Sequence, residues 1–85
     1  MVGRSSGEFE LPYGAALRRV RLAAGMSQEQ LALEAGVQRN FVSLIETGQN
    51  QPTISTVAKL ARALGMLASE LVAEAEWNET RRRPK

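Results

Sequence analysis

Residues 27–48 read SQEQLALEAGVQRNFVSLIETG and contain the strongest structural signals in the chain. Ser27 followed three residues later by Gln30 is a capping box, which predicts the start of a helix. Apolar residues at helical spacing continue to Gly36, and a second helical pattern begins after Gln38. The short link between the two patterns has room only for a tight turn. We therefore predict two short helices that cross steeply, as in a helix-turn-helix.

Glycines divide the rest of the chain into helices. Each of four glycines follows a stretch of residues with helical periodicity. These glycines are Gly25, Gly36, Gly48 and Gly65. Glycine just past a helix is a common C-terminal stop, because it adopts left-handed dihedral angles without a Cβ clash. Four stops and one further helical pattern predict five helices. No segment alternates with a period of two residues, so the predicted fold is all-α.

The 85-residue chain has room for one domain. We expect residues 1–10 to be a flexible leader, residues 11–76 to form the five-helix domain and residues 77–85 to be a charged C-terminal tail. In the fourth helix, which Thr53 is expected to cap, the most regular apolar stripe predicts a buried face. Its members are Ile54, Val57, Ala58, Ala61 and Leu64.

Composition argues against an enzyme. The chain has no cysteine, histidine or aspartate, which removes disulfides, thiolate metal sites and the usual general base. We therefore predict no catalytic residue, no metal site, no cofactor and no small-molecule ligand. No apolar run approaches the roughly 20 residues that a membrane span needs, and the first residues do not resemble a signal peptide. We expect no membrane association and a cytoplasmic location.

The net charge of +2 is unevenly distributed. Four of the eleven basic residues lie in the last five positions, so residues 1–80 carry seven basic and nine acidic groups, a net charge of −2. The basic balance comes from the tail, and the totals alone do not indicate a nucleic-acid partner. The tail itself is typical of a solubilising segment.

The third helix has an outward face suited to reading DNA. Val42 and Ile45 define its buried side, and its acid, Glu46, falls on that side as well. The residues that point away are Asn40, Ser43, Leu44 and Thr47, with Arg39 and Phe41 on the flanks. Arginine can pair with guanine and asparagine with adenine through two hydrogen bonds, whereas serine can bond either base. The alternative interpretation is an ordinary solvated face, with Leu44 filling a gap beside Phe41.

Helical geometry also predicts an ion pair. Arg21 and Glu46 each lie about 40° from the apolar centre of their helix, so both are expected to be partly buried. An unpaired buried charge is costly. We therefore predict that the two side chains pair and hold the first helix against the third.

Together these motifs resemble the XRE-type helix-turn-helix family of phage repressors and Cro proteins. The resemblance covers residues 14–72 in order and spacing. Its matching stretches are LRRVR at 17–21, GMSQEQLA at 25–32, GV at 36–37, FVSLIETG at 41–48, PT at 52–53 and LARALG at 60–65. It implies a compact, repressor-like five-helix domain that binds operator DNA, usually as a dimer on a two-fold-related site.

The resemblance also implies roles for individual residues. Positions that face bases correspond to Gln38, Arg39, Asn40, Ser43 and Leu44. Positions on the DNA backbone correspond to Ser27, Gln28, Thr47, Gln49, Asn50 and Gln51, and Gln28 also matches a residue that braces the recognition helix. The loop at 49–51 is rich in amides where relatives often carry lysine or arginine, and Leu44 stands where a polar residue is common.

Apolar residues outside the helical stripes raise the question of a partner. Leu22, Leu33 and Leu67 are such residues, and surplus exposed apolar groups often mark an interface. We predict a homodimer through the fifth helix, with Leu67, Glu70, Leu71 and Trp77 at its interface, although Leu71 is also expected to complete the core. A dimer would place two recognition helices about 34 Å apart, one DNA turn.

Two functions from different classes stay open on the sequence. The first is a double-stranded-DNA-binding transcriptional regulator whose third helix enters the major groove of an operator. The second is a protein-interaction module, such as an antitoxin or adaptor, whose working surface is the tail and the surplus leucines. Selectivity between DNA sequences separates the two.

Overall fold

The structure, a computed structural model, describes residues 13–82. These residues form five helices and no strand, as predicted. The helices are α1 (Tyr13–Ala23), α2 (Gln28–Ala35), α3 (Arg39–Glu46), α4 (Ile54–Ala63) and α5 (Ala68–Arg82). The predicted leader and the last three residues of the predicted tail lie outside the described residues. The fifth helix continues to Arg82, within the segment predicted as tail.

Capping side chains explain where α2 and α4 begin. The Ser27 hydroxyl oxygen accepts the Gln30 backbone N–H at 3.0 Å, and Gln30 Oε1 accepts the Ser27 N–H at 2.9 Å. This is the predicted capping box. Thr53 caps α4 in the predicted way, because its hydroxyl oxygen accepts the Thr56 N–H at 3.2 Å. The starts of α2 and α4 are thus encoded by residues within one turn of each other, whereas Gln38 at the start of α3 makes no side-chain cap bond.

All five helices contribute to one core. Each helix packs mainly against two others, so the contacts close a ring in the order α1, α3, α2, α4, α5 and back to α1. The largest fully buried side chains are Leu17, Leu31, Val42, Ile45, Val57, Leu60 and Leu71. Each such aliphatic group stabilises the fold by roughly 1.5–3 kcal/mol on burial. The ring holds α2 and α3 together at one side of the domain.

The buried face of α4 differs from the predicted stripe. Ile54 is 78% exposed and Ala58 is also exposed, whereas Leu60, which the stripe omitted, is buried with Val57 and Ala61. At about 100° per residue, Ile54 lies roughly 70° from the centre of these three residues and Ala58 about 110° away. The position of α2 and α5 around α4 therefore rotates the buried face away from Ile54.

The start of α1 lies directly against the end of α3. A Cβ atom added at Gly14 would come within 2.5 Å of the carbonyl oxygens of Ile45 and Glu46. Only a residue without a side chain allows this approach, because both obstructing atoms belong to the backbone. Sequence reasoning assigned no role to Gly14. The one available signal was a glycine within a helix, where it is normally unfavourable.

Replacing Gly14 with alanine is expected to destabilise the protein. Helix propensity alone would make Gly14→Ala stabilising by about 0.5–1 kcal/mol. The overlap with backbone atoms of α3 reverses that sign, and overpacking of this kind typically costs about 1–3 kcal/mol. The free energy of unfolding in urea measures the outcome, and a variant more stable than the parent would show that α3 can move away freely.

Candidate nucleic-acid interface

The hydrophilic side of α3 lies on the protein surface. Val42 and Ile45 are buried beneath it, and Phe41 is half-buried against the core. Gln38, Arg39, Asn40 and Thr47 are exposed, and Ser43 and Leu44 are half-buried. The structure therefore brings the five proposed base-reading residues together on and around one helix face.

The turn before α3 is short, and its backbone N–H groups find hydrogen-bond acceptors. Gly36 adopts left-handed dihedral angles, with φ of 75°, and its N–H faces the carbonyls of Ala32 and Leu33. The Val37 N–H then donates to the Ala32 carbonyl at 3.0 Å. These bonds close the end of α2 as a glycine cap does. They leave α3 to start at Arg39, directly after an exposed Gln38.

A buried ion pair joins α1 to α3. Arg21 Nε donates to Glu46 Oε2 at 2.6 Å, and Arg21 Nη2 donates to Glu46 Oε1 at 3.0 Å. The two side chains are only 7% and 2% exposed. Arg21 Nη1 also donates to the Met26 carbonyl at 2.8 Å, in the link between α1 and α2. This two-bond pair is the interaction that helical geometry predicted.

The surroundings of Arg21 favour its charged form. Hydrogen bonding to Glu46 raises the pKa of Arg21 above its ordinary value, and the Coulomb attraction acts in the same direction, while burial opposes both. The guanidinium therefore stays protonated throughout the pH range in which proteins are studied.

Gln28 is tied to the same carboxylate. Its Nε2 donates to Glu46 Oε1 at 3.0 Å, and the side chain is half-buried at the first position of α2. The structure thus contains the brace between α2 and α3 that the resemblance implied. The phosphate contact of Gln28 stays a prediction.

The segment after α3 folds back onto the end of that helix. The N–H groups of Gln49 and Asn50 donate to the Leu44 carbonyl at 2.9 and 3.2 Å. Thr47 Oγ1 donates to the Ser43 carbonyl at 3.0 Å and accepts from Gln49 Nε2 at 3.1 Å. These bonds place the exposed residues Gln49 and Asn50 beside the end of α3, and Gln51, which follows them, is exposed as well.

Charge is sparse in the segment that contains α2, α3 and the loop after α3. Arg39 is the only cation among residues 27–53, which include three glutamates. One of these, Glu46, is occupied by Arg21. The remaining polar groups of α3 and the following loop are amides and hydroxyls. Contacts to DNA from this surface would therefore depend on directed hydrogen bonds more than on charge.

The residues predicted at a dimer interface are divided by the structure. Leu67 is 66% exposed and Glu70 is exposed, so both are available at the surface. Leu71 is 2% exposed and belongs to the core cluster. The prediction that it lies at the interface is therefore wrong, because its side chain packs within the monomer. The side chain of Trp77 lies outside the described residues.

Two kinds of site are absent from the part of the chain that the structure describes. Within residues 13–82, no helix has both the length and the apolar character needed to cross a bilayer. The same residues hold no cluster of three or more potential acidic, histidine or cysteine metal ligands.

Five packed helices, a tight turn and an exposed polar face on α3 define a helix-turn-helix protein. A family model described as "Helix-turn-helix" matches residues 17–71, more than half of the chain. The chain belongs to the XRE-type helix-turn-helix family of DNA-binding transcriptional regulators. The resemblance seen in the sequence is confirmed, and the family is not an enzyme family.

Individual relatives agree with this assignment. The chain is 34% identical over 65 residues to "Control protein C.BamHI" of Bacillus amyloliquefaciens, covering 75% of this chain and 80% of that protein. It is 33% identical over 66 residues to "Cryptic phage CTXphi transcriptional repressor RstR" of Vibrio cholerae, covering 78% and 60%. The crystal structure of the restriction-modification controller protein C.AhdI from Aeromonas hydrophila matches with a TM-score of 0.69 and 39% identity, covering 72% and 92%.

Breaking the buried pair is expected to destabilise the protein strongly. Arg21→Ala leaves the Glu46 carboxylate without its buried cation, which costs about 3–5 kcal/mol. Arg19→Ala is the matched control, because Arg19 pairs with Glu74 in an ion pair whose side chains are more than 40% exposed. Loss of an exposed pair costs about 1 kcal/mol or less. Urea unfolding of both variants measures the difference, and equal losses would argue against the clamp.

Proposed function

We propose that this chain regulates transcription by binding an operator as a dimer, with α3 of each copy in the major groove. The observation that carries the proposal is the outward side of α3. Val42 and Ile45, on the opposite side of the helix, are buried, while Arg39, Asn40 and the preceding Gln38 are exposed. An α-helix fits the major groove of B-DNA, where each base pair presents a distinct pattern of donors and acceptors.

In this proposal, one group of residues contacts bases and a second group contacts the phosphate backbone. Gln38, Arg39, Asn40, Ser43 and Leu44 read base edges, and Leu44 contacts a thymine methyl group. Ser27, Gln28, Thr47, Gln49, Asn50 and Gln51 contact the phosphate backbone and fix the orientation of α3 on the duplex. The hydrogen bonds that join Gln28 and Gln49 to the end of α3 support this division, because they place both amides beside the reading helix.

The named relatives support a regulatory role. C.AhdI is described as a restriction-modification controller protein and RstR as a transcriptional repressor, and this chain matches most of the former. Both names describe regulators. The function proposed for this chain is of the same class, and its operator is to be identified by experiment.

Replacing Arg39 with alanine is expected to weaken operator binding by about 1–3 kcal/mol and to relax preference at one base position. The physical reason is loss of two hydrogen bonds to a guanine. Sites selected from random duplex DNA by the parent and by Arg39→Ala, at two salt concentrations, measure sequence, half-site spacing and the number of phosphates neutralised. The parent should select two half-sites about one DNA turn apart.

Arg62→Ala is the control for that experiment, because Arg62 is an exposed arginine near the end of α4, outside the proposed reading surface. It should leave the selected sequence unchanged. Equal weakening by Arg39→Ala on every sequence would assign Arg39 to phosphate instead of bases. A parent chain with no preference among sequences would contradict the proposal and support the protein-interaction alternative.

We place the dimer contact at the start of α5. Leu67, just before α5, is exposed, and Glu70 lies in the first turn beside it. An exposed leucine beside a helix start offers apolar area that a second copy can cover. The sequence-based contribution of Trp77 to this interface stays a prediction.

Introducing a charge at Leu67 is expected to reduce dimerisation. Leu67→Glu places a carboxylate where the proposal buries apolar surface, and desolvation of an unpaired charge opposes association. Leu33→Glu is the matched control, because Leu33 is 83% exposed on α2, away from α5. Sedimentation equilibrium at high micromolar concentration should show a dimer for the parent and control and a monomer for Leu67→Glu. A monomeric parent would contradict the dimer proposal.

A further inference from the structure

The first helix carries an exposed arginine, Arg18, beside the end of α3. Gly14, four residues before Arg18, packs against the backbone of the last two residues of α3. Arg21, three residues after Arg18, binds the carboxylate of the last of these, Glu46. Residues three and four apart share one side of a helix. Arg18 therefore lies on α1 between the two points at which that helix contacts the end of α3.

An open groove beside Arg18 runs between α1 and the end of α3. It has a volume of about 490 Å³ and is lined by Ala15, Arg18, Arg19, Leu22 and Glu46. The carboxylate in this lining, that of Glu46, is occupied by Arg21, and Arg19 pairs with Glu74 of α5. Among the side chains that the structure describes, no carboxylate pairs with Arg18. Its positive charge is thus available at the surface.

The segment that holds the proposed DNA contacts is itself negatively charged. Residues 27–53 carry one cation, Arg39, and three glutamates, which gives a net charge of −2. Duplex DNA carries one negative charge for about every 1.7 Å of its axis. Attraction between this segment and a duplex therefore needs cations from another part of the chain.

The other exposed cations outside that segment are less suited to this task. Among the side chains that the structure describes, they are Arg19, Lys59 and Arg62. Arg19 is held by Glu74. Lys59 and Arg62 lie on α4 and line a groove together with Glu34 of α2, and no residue of α3 lines that groove. These three cations are thus either paired or directed away from α3.

We propose that Arg18 is a further DNA contact of this chain, and that its guanidinium binds a phosphate of the duplex beside the end of α3. The inference rests on the proposed function and adds a residue of α1 to it. Arg18 shares its groove with Glu46, and Thr47, a proposed backbone contact, follows Glu46 directly. A guanidinium suits this position, because it keeps its charge and can donate two parallel hydrogen bonds to a phosphate.

This contact separates attraction from discrimination. It is independent of base sequence, because every nucleotide presents the same phosphate group. Arg18 therefore attracts any duplex, while the exposed residues of α3 discriminate between base pairs. The two contributions come from different helices, and a substitution at Arg18 changes the first without changing the second.

The salt dependence of binding tests the inference. Arg18→Gln removes the charge, and the affinity of the full chain is measured at several salt concentrations for the selected duplex and for an unrelated duplex. The slope of log affinity against log salt should become shallower by about 0.9 for each bound copy of the chain. Near 0.1 M salt, binding to both duplexes should weaken by the same factor, roughly tenfold per copy.

Three controls separate a phosphate contact from other effects. Arg18→Lys should keep the slope of the parent, because an ammonium group also neutralises a phosphate. Arg62→Gln removes the same charge from an exposed site on α4, and it should leave the slope near that of the parent. Arg18→Gln should unfold at the same urea concentration as the parent, because Arg18 is exposed and no described carboxylate depends on it.

The possible outcomes distinguish this inference from the proposed function. An unchanged slope in Arg18→Gln, or an equal change in Arg62→Gln, would overturn the inference while a parent that selects a sequence keeps the proposed function. Weakening by Arg18→Gln on the selected duplex alone would also overturn it, because that result assigns Arg18 to bases. A parent that binds no duplex would overturn the proposed function and this inference together.

Discussion

The contact between Arg21 and Glu46 holds α3 in place. An isolated helix of eight residues is not stable in water, so α3 depends on its neighbours for both structure and position. Two hydrogen bonds and opposite charges fix its last residue to α1, and the close approach at Gly14 fixes the backbone beside it. A buried ion pair is weak evidence for stability by itself. Here its geometry defines where α3 lies relative to α1.

The residues that α3 leaves at the surface are those that neither the core nor the ion pair uses. Val42 and Ile45 are committed to the core and Glu46 to the ion pair. What is left outside on α3 is Arg39, two neutral polar side chains and the half-buried Leu44, with no free carboxylate to repel phosphate. The same packing that stabilises the domain thus leaves a hydrophilic face suited to the major groove.

The amides and the cation on this face differ in how they interact with a partner. Neutral amides bind a partner only along defined directions, whereas cations attract any phosphate at a distance. In the proposed function, a segment with one cation and several amides, two of them held by Glu46 and Thr47, would favour discrimination between sequences over general affinity for DNA. Relatives described as controllers and repressors are regulators, a task for which discrimination between sites is essential.

Much of the architecture was readable from the residues alone. The capping box at Ser27, the glycine stops and the outward side of α3 are local features, because they depend on residues within a turn or two of each other. Even the Arg21–Glu46 pair could be predicted, since both charges fell near the apolar side of their helices. The close contact at Gly14, the exposure of Ile54 and the bond from Gln28 to Glu46 were not predicted in this way. Each depends on the angle and distance at which separate helices meet, and helical periodicity within one segment carries no information about that geometry.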